Sequence, residues 1–226
     1  MGQLILLRHG ASAWNEKNIF TGWVDIPLSS KGIEESLKAG LFFAHTPIQA
    51  IYVSTLIRAQ MSALLAVSVH TGTTTPCMLH PQEAPFQEWT QICNEQTQKE
   101  CIPIVAAWQL NERMYGDLQG MNKDEARRLF GKEQVELWRR SFDEAPPGGE
   151  SLKMTAERAV PYFHTQILPR LNQGENILVV AHGNSLRAIV MDLEHLSKEQ
   201  VLQLEISTGA IRQYDYDKGV LRLHAR

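Results

Sequence analysis

Along the chain, short runs that are apolar at every position alternate with longer stretches in which apolar residues return every three or four places. Leu4-Ile5-Leu6-Leu7, Ile51-Tyr52-Val53 and the run 176–181 are each expected as a strand, the first and last of them buried. Helices are expected between them. Ser29 can cap one over about 30–44, with Ile33, Leu37 and Leu41 on one face. Ser54 or Thr55 can cap the next, which carries Arg58 near its start. Asn122 opens a helix that Gly131 stops, and a further one holds Val135, Trp138, Arg139 and Arg140. Ser151 starts a helical pattern reaching about 171, which Pro161 and Pro169 should kink or split. A helix over about 185–193 follows the strand at 176–181. The stretches 211–216 and 220–223 read as a strand pair around Asp217-Lys218-Gly219. This alternation predicts an α/β fold, a mainly parallel sheet flanked by helices.

The span from about 70 to 104 breaks the rhythm. It is rich in Thr, Gln, Glu and Pro and is expected as a partly irregular surface insertion. The 226 residues otherwise fit one domain, 1–226, long enough to bury roughly 70% of its unfolded surface. No apolar run approaches the roughly 20 residues that cross a bilayer. Met1-Gly2-Gln3-Leu4 leads straight into a strand, without the basic and long apolar stretches of a signal peptide. Leu6 speaks against a myristoylation pattern. Cys77, Cys93 and Cys101 are odd in number and share no metal-ligand spacing, so reduced thiols in a cytoplasmic protein are expected. The formal net charge of −3 argues against a general nucleic-acid binder. It leaves a small anionic ligand open, because the placement of the arginines decides that.

One local echo carries chemistry. Leu6-Leu7-Arg8-His9-Gly10 and Val179-Val180-Ala181-His182-Gly183 each set His-Gly directly after a buried strand. Ligands of open α/β sheets bind beyond the carboxyl ends of strands, so the two imidazoles can meet in one crevice, and the glycines allow close backbone approach. Either His-Gly alone reads as structural. The pair, with Arg8 beside one and Asn184 after the other, points to a site. Arg58 also follows a strand end, and a guanidinium forks well onto phosphate or carboxylate. Taken locally, Arg139-Arg140 and Asn122-Lys123 would be solvated helix positions.

Beyond these local signals, Leu7-Arg8-His9-Gly10 resembles the signature of the histidine phosphatase superfamily. The run Arg8-His9-Gly10-Ala11-Ser12-Ala13-Trp14-Asn15, with Phe20-Thr21-Gly22-Trp23, is similar to its cofactor-dependent phosphoglycerate mutase branch. Leu110-Asn111-Glu112-Arg113-Met114-Tyr115-Gly116, Trp138-Arg139-Arg140 and Ala181-His182-Gly183-Asn184-Ser185-Leu186-Arg187 agree, in order, over most of the chain. The resemblance implies a phosphoglycerate mutase-like fold, and interconversion of 3-phosphoglycerate and 2-phosphoglycerate through a phosphohistidine primed by 2,3-bisphosphoglycerate. It implies His9 as nucleophile, Glu112 as proton donor and acceptor, and His182 stabilising the transferring group with Arg8 and Arg58. Substrate positions would be Arg8, Ser12, Asn15, Thr21, Gly22, Arg58, Glu112, Arg113, Met114, Tyr115, Lys123, Arg139, Arg140, Gly183 and Asn184. No metal motif is visible, so arginine and histidine would supply the positive charge that phosphoryl transfer needs. Trp14 and Trp23 are expected as packing groups. His45, His70, His80, His164, His195 and His224 lack a comparable setting.

The chain departs from the family in four places. Ala11 replaces a usual Glu or Gln, with little effect expected. The stretch after Pro146-Pro147 is short, which counts against the family's larger oligomers and leaves a homodimer open. The insertion lacks a counterpart in the commonest members. The sequence ends at Arg226, where longer members carry a tail over the pocket; a shorter lid would admit water and raise phosphatase side activity. Two rivals follow: a broad phosphatase on the same fold, and a catalytically dead binding protein, against which the retained His9, Glu112, His182 and arginines speak.

Overall fold

A computed structural model describes residues 2–72, 74–79, 86–217 and 219–224. Its strands are β1 (Gly2–Arg8), β2 (Ala50–Val53), β3 (Thr75–Met78), β4 (Cys101–Ala106), β5 (Ile177–Ala181), β6 (Ile211–Asp217) and β7 (Val220–Leu223). They form one sheet in the order β3-β4-β2-β5-β1-β6-β7. β1 through β5 pair in parallel, while β6 runs antiparallel to β1 and to β7. The helices are α1 (Ala13–Glu16), α2 (Ser30–Phe42), α3 (Ile57–Ser68), α4 (Phe86–Trp89), α5 (Glu95–Lys99), α6 (Lys123–Phe130), α7 (Lys132–Arg140), α8 (Leu152–Tyr162), α9 (Leu168–Asn172), α10 (Gly183–Leu193) and α11 (Lys198–Gln203). None of the described helices is long and apolar enough to cross a membrane.

The apolar runs are explained by burial on both faces. In β1, Leu4 and Leu6 pack on one side with α8 and α10, where Ala159, Ile189 and Val190 meet them. Ile5 and Leu7 turn to the other side, where Ala39 of α2 and Ala59, Ala63 and Ala66 of α3 lie. The same alternation divides Ile177, Val179 and Ala181 from Leu178 and Val180 in β5. A smaller cluster of Phe20, Leu118, Ala126 and Val135 anchors α6 and α7 at the carboxyl end of the sheet.

Several local expectations change. α3 starts one turn position later than Ser54 or Thr55 would place it: Leu56 is the N-cap, and the Ser54 hydroxyl accepts the Leu56 N–H inside the turn. The helical pattern from Ser151 is divided into two α-helices, in keeping with its two prolines. α8, with Pro161 in its last turn, passes through a π-helical turn, Phe163–Ile167, into α9, and Pro169 lies in the first turn of α9. The span 70–104 is less irregular than expected, because β3 and β4 at its two ends are sheet strands with Ile102 and Ile104 buried. Pro76, in the edge strand β3, and Pro103, in β4 beside it, masked this pattern, since proline weakens the strand signal. Residues 73 and 80–85, within the same span, and Lys218, in the expected turn 217–219, lie outside the described residues.

Candidate active site

The register of β1 on β5 builds the centre. Arg8 pairs with Ala181, so His9 and His182 leave neighbouring parallel strands at the same level, and the His9 N–H donates to the Ala181 carbonyl at 3.0 Å. Their ring centroids are 4.8 Å apart, tilted by 55°. Gly10 allows this close turn: a Cβ there would meet the Gly32 carbonyl oxygen at 2.1 Å. His9 Nδ1 lies 2.6 Å from the Gly10 carbonyl oxygen. A carbonyl only accepts, so Nδ1 carries the proton and Nε2 keeps its lone pair. Burial, then the charges of Arg58 and Arg8, hold the His9 imidazole well below its usual 6.5, against the Gly10 bond. Burial also lowers His182, with Arg58, His9 and Arg8 adding to it. Both rings are therefore neutral near pH 7.

His182 is fixed from behind. Its Nε2 lies 2.7 Å from Ser54 Oγ, which itself accepts the Leu56 N–H at 3.2 Å. Ser54 is then free to donate its hydrogen to Nε2, which puts the imidazole proton on Nδ1. That Nδ1 is buried and has no hydrogen-bond partner among the described residues, and neither does Arg8 Nε. Buried donors left unpaired are costly, and sites that bind anions supply their partners with the ligand.

Glu112 approaches from the loop after the 3₁₀ turn Trp108–Leu110. Its Oε1 accepts from Arg113 N at 2.7 Å, Asn184 Nδ2 at 2.9 Å and Asn184 N at 3.2 Å. Three donors on one oxygen fix the carboxylate and leave Oε2 to exchange a proton. Behind this loop, Arg158 of α8 donates to the carbonyls of Gln109, Asn111 and Glu112 at 2.7, 3.0 and 2.9 Å. The same guanidinium grips Glu150 through Nε and Nη2, both at 2.8 Å. Glu150 in turn accepts the Met114 N–H at 3.0 Å, and Trp23 Nε1 donates to the Glu112 carbonyl.

In front lies a cavity of about 240 Å³ lined by six cations, Arg8, Arg58, Lys123, Arg139, Arg140 and Arg187. Arg58 is 1% exposed and donates to the carbonyls of Gly22 and Val24 at 2.7 and 3.0 Å. Burial brings its pKa down to about 10, with Glu112 and Asp25 opposing, so it stays charged at neutral pH. Burial and then Arg139 lower Lys123. So dense a cluster of positive groups with so few counter-anions suits a multiply charged anion. Among the described residues, no group of three or more His, Cys, Asp and Glu is placed to hold a metal ion.

Of the positions expected from sequence, Arg8, His9, Asn15, Thr21, Gly22, Arg58, Glu112, Tyr115, Lys123, Arg139, Arg140, Gly183 and Asn184 line this cavity. Four others are not part of its lining. Ser12 caps α1 and bonds Asn15. Arg113 is buried, with Nη2 donating to Tyr115 Oη and the Arg139 carbonyl at 3.1 Å each. Met114 offers its N–H to Glu150, and His182 lies fully buried beside His9. Sequence reading passed over Arg187, Glu205, Ile206, Ser207, Ile19 and Phe20, which also line the cavity. Arg187 had a signal: it follows Gly183 and Asn184 at helical spacing on α10. Ser54 and Arg158 had none, because their roles depend on partners far along the chain. Four of the other described histidines are engaged elsewhere: His45 with Thr71, His70 with the Thr46 carbonyl, His164 with Asp192 and His224 with Asp215.

A sheet that ends adjacent strands in facing imidazoles, beneath clustered guanidinium groups, defines a class of phosphate-handling α/β protein. The chain belongs to the histidine phosphatase superfamily, whose branch 1 pattern matches residues 4–100 and 87–226. It is 54% identical over 217 residues to the 2,3-bisphosphoglycerate-dependent phosphoglycerate mutase of Protochlamydia amoebophila (strain UWE25), covering 96% of each chain. It is 51% identical over 225 residues to the Chlamydia trachomatis serovar L2b (strain UCH-1/proctitis) protein of that name, covering 100% of this chain and 98% of the relative. Among solved structures, Bacillus stearothermophilus YhfR superposes with a TM-score of 0.76 at 23% identity, over 99% of this chain and 95% of that one. The alpha-ribazole phosphatase of Shigella flexneri superposes with a TM-score of 0.75 at 19% identity, over 98% and 94%. These two likenesses speak for the fold alone.

Proposed function

We propose that the chain interconverts 3-phosphoglycerate and 2-phosphoglycerate through a phosphohistidine at His9, primed by 2,3-bisphosphoglycerate. The observation that carries the reading is the hydrogen bond from His9 Nδ1 to the Gly10 carbonyl, which leaves Nε2 unprotonated in a residue that lines the cationic cavity. Relatives at about half identity over nearly the whole chain bear the mutase name.

The residues fit the bisphosphate. Six cations and the unpaired donors at His182 Nδ1 and Arg8 Nε suit two phosphates and a carboxylate. With His9 phosphorylated, Glu112 takes the proton of the 2-hydroxyl of 3-phosphoglycerate. The alkoxide oxygen attacks phosphorus, and the N–P bond breaks and returns its pair to Nε2. His9 Nε2 then attacks the phosphorus at position 3, that P–O bond breaks, and Glu112 returns the proton to the leaving oxygen. Such acid–base help is worth about 10²–10⁴-fold. His182 Nδ1, Arg8 and Arg58 hold the equatorial oxygens, each charged hydrogen bond contributing about 1.5–3 kcal/mol. Asn15, Thr21, Gly22, Tyr115, Lys123, Arg139, Arg140, Gly183 and Asn184 clamp the ends of the substrate. Ser12, Arg113 and Met114 support that clamp from outside the lining.

In this reading residues 1–226 are one domain with an insertion near 70–104, and the enzyme works in the cytoplasm as a homodimer, which sedimentation of the purified protein tests. A coupled assay of 2-phosphoglycerate formation, with and without 2,3-bisphosphoglycerate, tests the chemistry. Turnover that depends on the bisphosphate and is abolished in His9→Ala is expected, with an acid-labile mass gain on His9 of the wild type. Release of free phosphate alone would make the chain a phosphatase, and turnover surviving in His9→Ala would remove the mechanism.

A further inference from the structure

Two carboxylates, Glu112 and Glu205, stand among the cations that line the cavity. Glu112 has a task in the proposed reaction. Glu205 has none there, and a negative charge at the mouth of an anion site opposes the ligand. Its geometry explains its presence. Glu205 Oε1 pairs with Arg140 Nη2 at 3.2 Å, with the two side chains 73% and 42% exposed. The backbone on either side is pinned by the site's own arginines. Arg187 Nε donates to the Leu204 carbonyl at 2.6 Å, and Arg8 Nη1 to the Ile206 carbonyl at 2.5 Å. The loop is held while the Glu205 side chain remains free to turn. Beyond the pair lies an outer cleft of about 370 Å³, lined by Arg140, Leu202, Gln203 and Glu205, into which the carboxylate can swing.

The other five cations are held differently, Lys123 standing over the Phe20 ring. Arg8, Arg58 and Arg187 rest on neutral carbonyls, which add no like charge to compete with a ligand. Arg139 pairs at 2.9 Å with Glu136, one turn back on α7 and outside the cavity lining. Glu205 is therefore the cavity-lining acid that occupies a cation expected to meet substrate.

We infer that Glu205 is an affinity-setting residue, its carboxylate standing on Arg140 in place of an anionic group of the phosphoglycerate and giving way when that group binds. The inference rests on the reading that phosphoglycerates bind this cavity. Ground state and transition state both displace the carboxylate, so it opposes their binding equally and acts on KM rather than kcat. An exposed pair is weak, so exchange is easy and the effect is modest, about two- to fivefold.

The test is Glu205→Gln, which keeps the shape and removes the charge at an exposed position. Steady-state kinetics should give a KM for 3-phosphoglycerate lower by about two- to fivefold with kcat unchanged. Calorimetric titration with 2,3-bisphosphoglycerate should give a Kd lower by a similar factor. A KM and Kd that stay the same or rise overturn the inference, as does a fall in kcat with KM unmoved. The two readings fail separately. Tighter binding of the bisphosphate by the variant, from a wild type that makes no 2-phosphoglycerate, removes the mutase reading and leaves this one. Normal wild-type turnover with equal Kd in both proteins does the reverse.

Discussion

At the residue scale, the two imidazoles show how much a strand end can reveal. Their position was legible because His-Gly follows a fully apolar run twice, and such runs end where open sheets bind ligands. Which nitrogen of His9 is free was not, since that depends on the Gly10 carbonyl turning back onto Nδ1. Nor was Ser54, which reaches His182 across 128 positions of sequence. Burial of the pair has a measurable consequence for stability. Above about pH 6.5, folded and unfolded imidazoles are both neutral and their titration contributes nothing. Below it, the unfolded chain binds protons that the folded one resists, because both native pKa values are held low. Stability then falls with pH, by up to about 1.4 kcal/mol per unit for each ring. Tm should drop more steeply from pH 6.5 to 5.5 than from 7.5 to 6.5, and His9→Gln should shallow the drop. Equal slopes in the two proteins would count against neutral burial of His9.

At the element scale, β1 and β5 were readable because each is covered on both faces, while the edge strand β3 and its neighbour β4 were not, because Pro76 and Pro103 interrupt their patterns. The hidden element is the clamp behind Glu112. Ser151 announced α8, but nothing local joins Arg158 to carbonyls 46 to 49 positions earlier. The Arg158–Glu150 pair is 8% and 16% exposed, so its two charges depend on each other. Burial would raise the Glu150 carboxyl, yet Arg158, the Met114 N–H and Thr155 outweigh it and hold it low. Glu150→Gln leaves the guanidinium on three carbonyls without its counter-ion. Denaturant unfolding should show a loss of about 2–3 kcal/mol. A change below about 0.5 kcal/mol, the scale of an ordinary surface substitution, would mean that the carbonyls alone hold Arg158.

At the scale of the whole molecule, overall charge and local field point in opposite directions. The sequence carries 22 Lys and Arg against 25 Asp and Glu, a net −3, yet the cavity is walled by six cations and two carboxylates. The fold makes this possible. β1 and β5 bring Arg8 and the helix bearing Arg187 to one edge, α3 brings Arg58, and the cluster under α6 and α7 brings Lys123, Arg139 and Arg140. The acids are spread elsewhere, many paired on the surface. A substrate anion approaching from far away meets weak repulsion. Within about 10 Å of the mouth, roughly one Debye length at 0.1 M salt, it meets a focused positive field. Salt screens that field more than it alters the buried contacts. Raising KCl from about 0.05 to 0.5 M should therefore lower kcat/KM for 3-phosphoglycerate, with kcat changing far less. The same series on Glu205→Gln should show a steeper fall, because the cavity then carries one more uncompensated charge. A kcat/KM independent of salt in the wild type would mean that the cations act only after contact, as fixed ligands, and contribute nothing to capture.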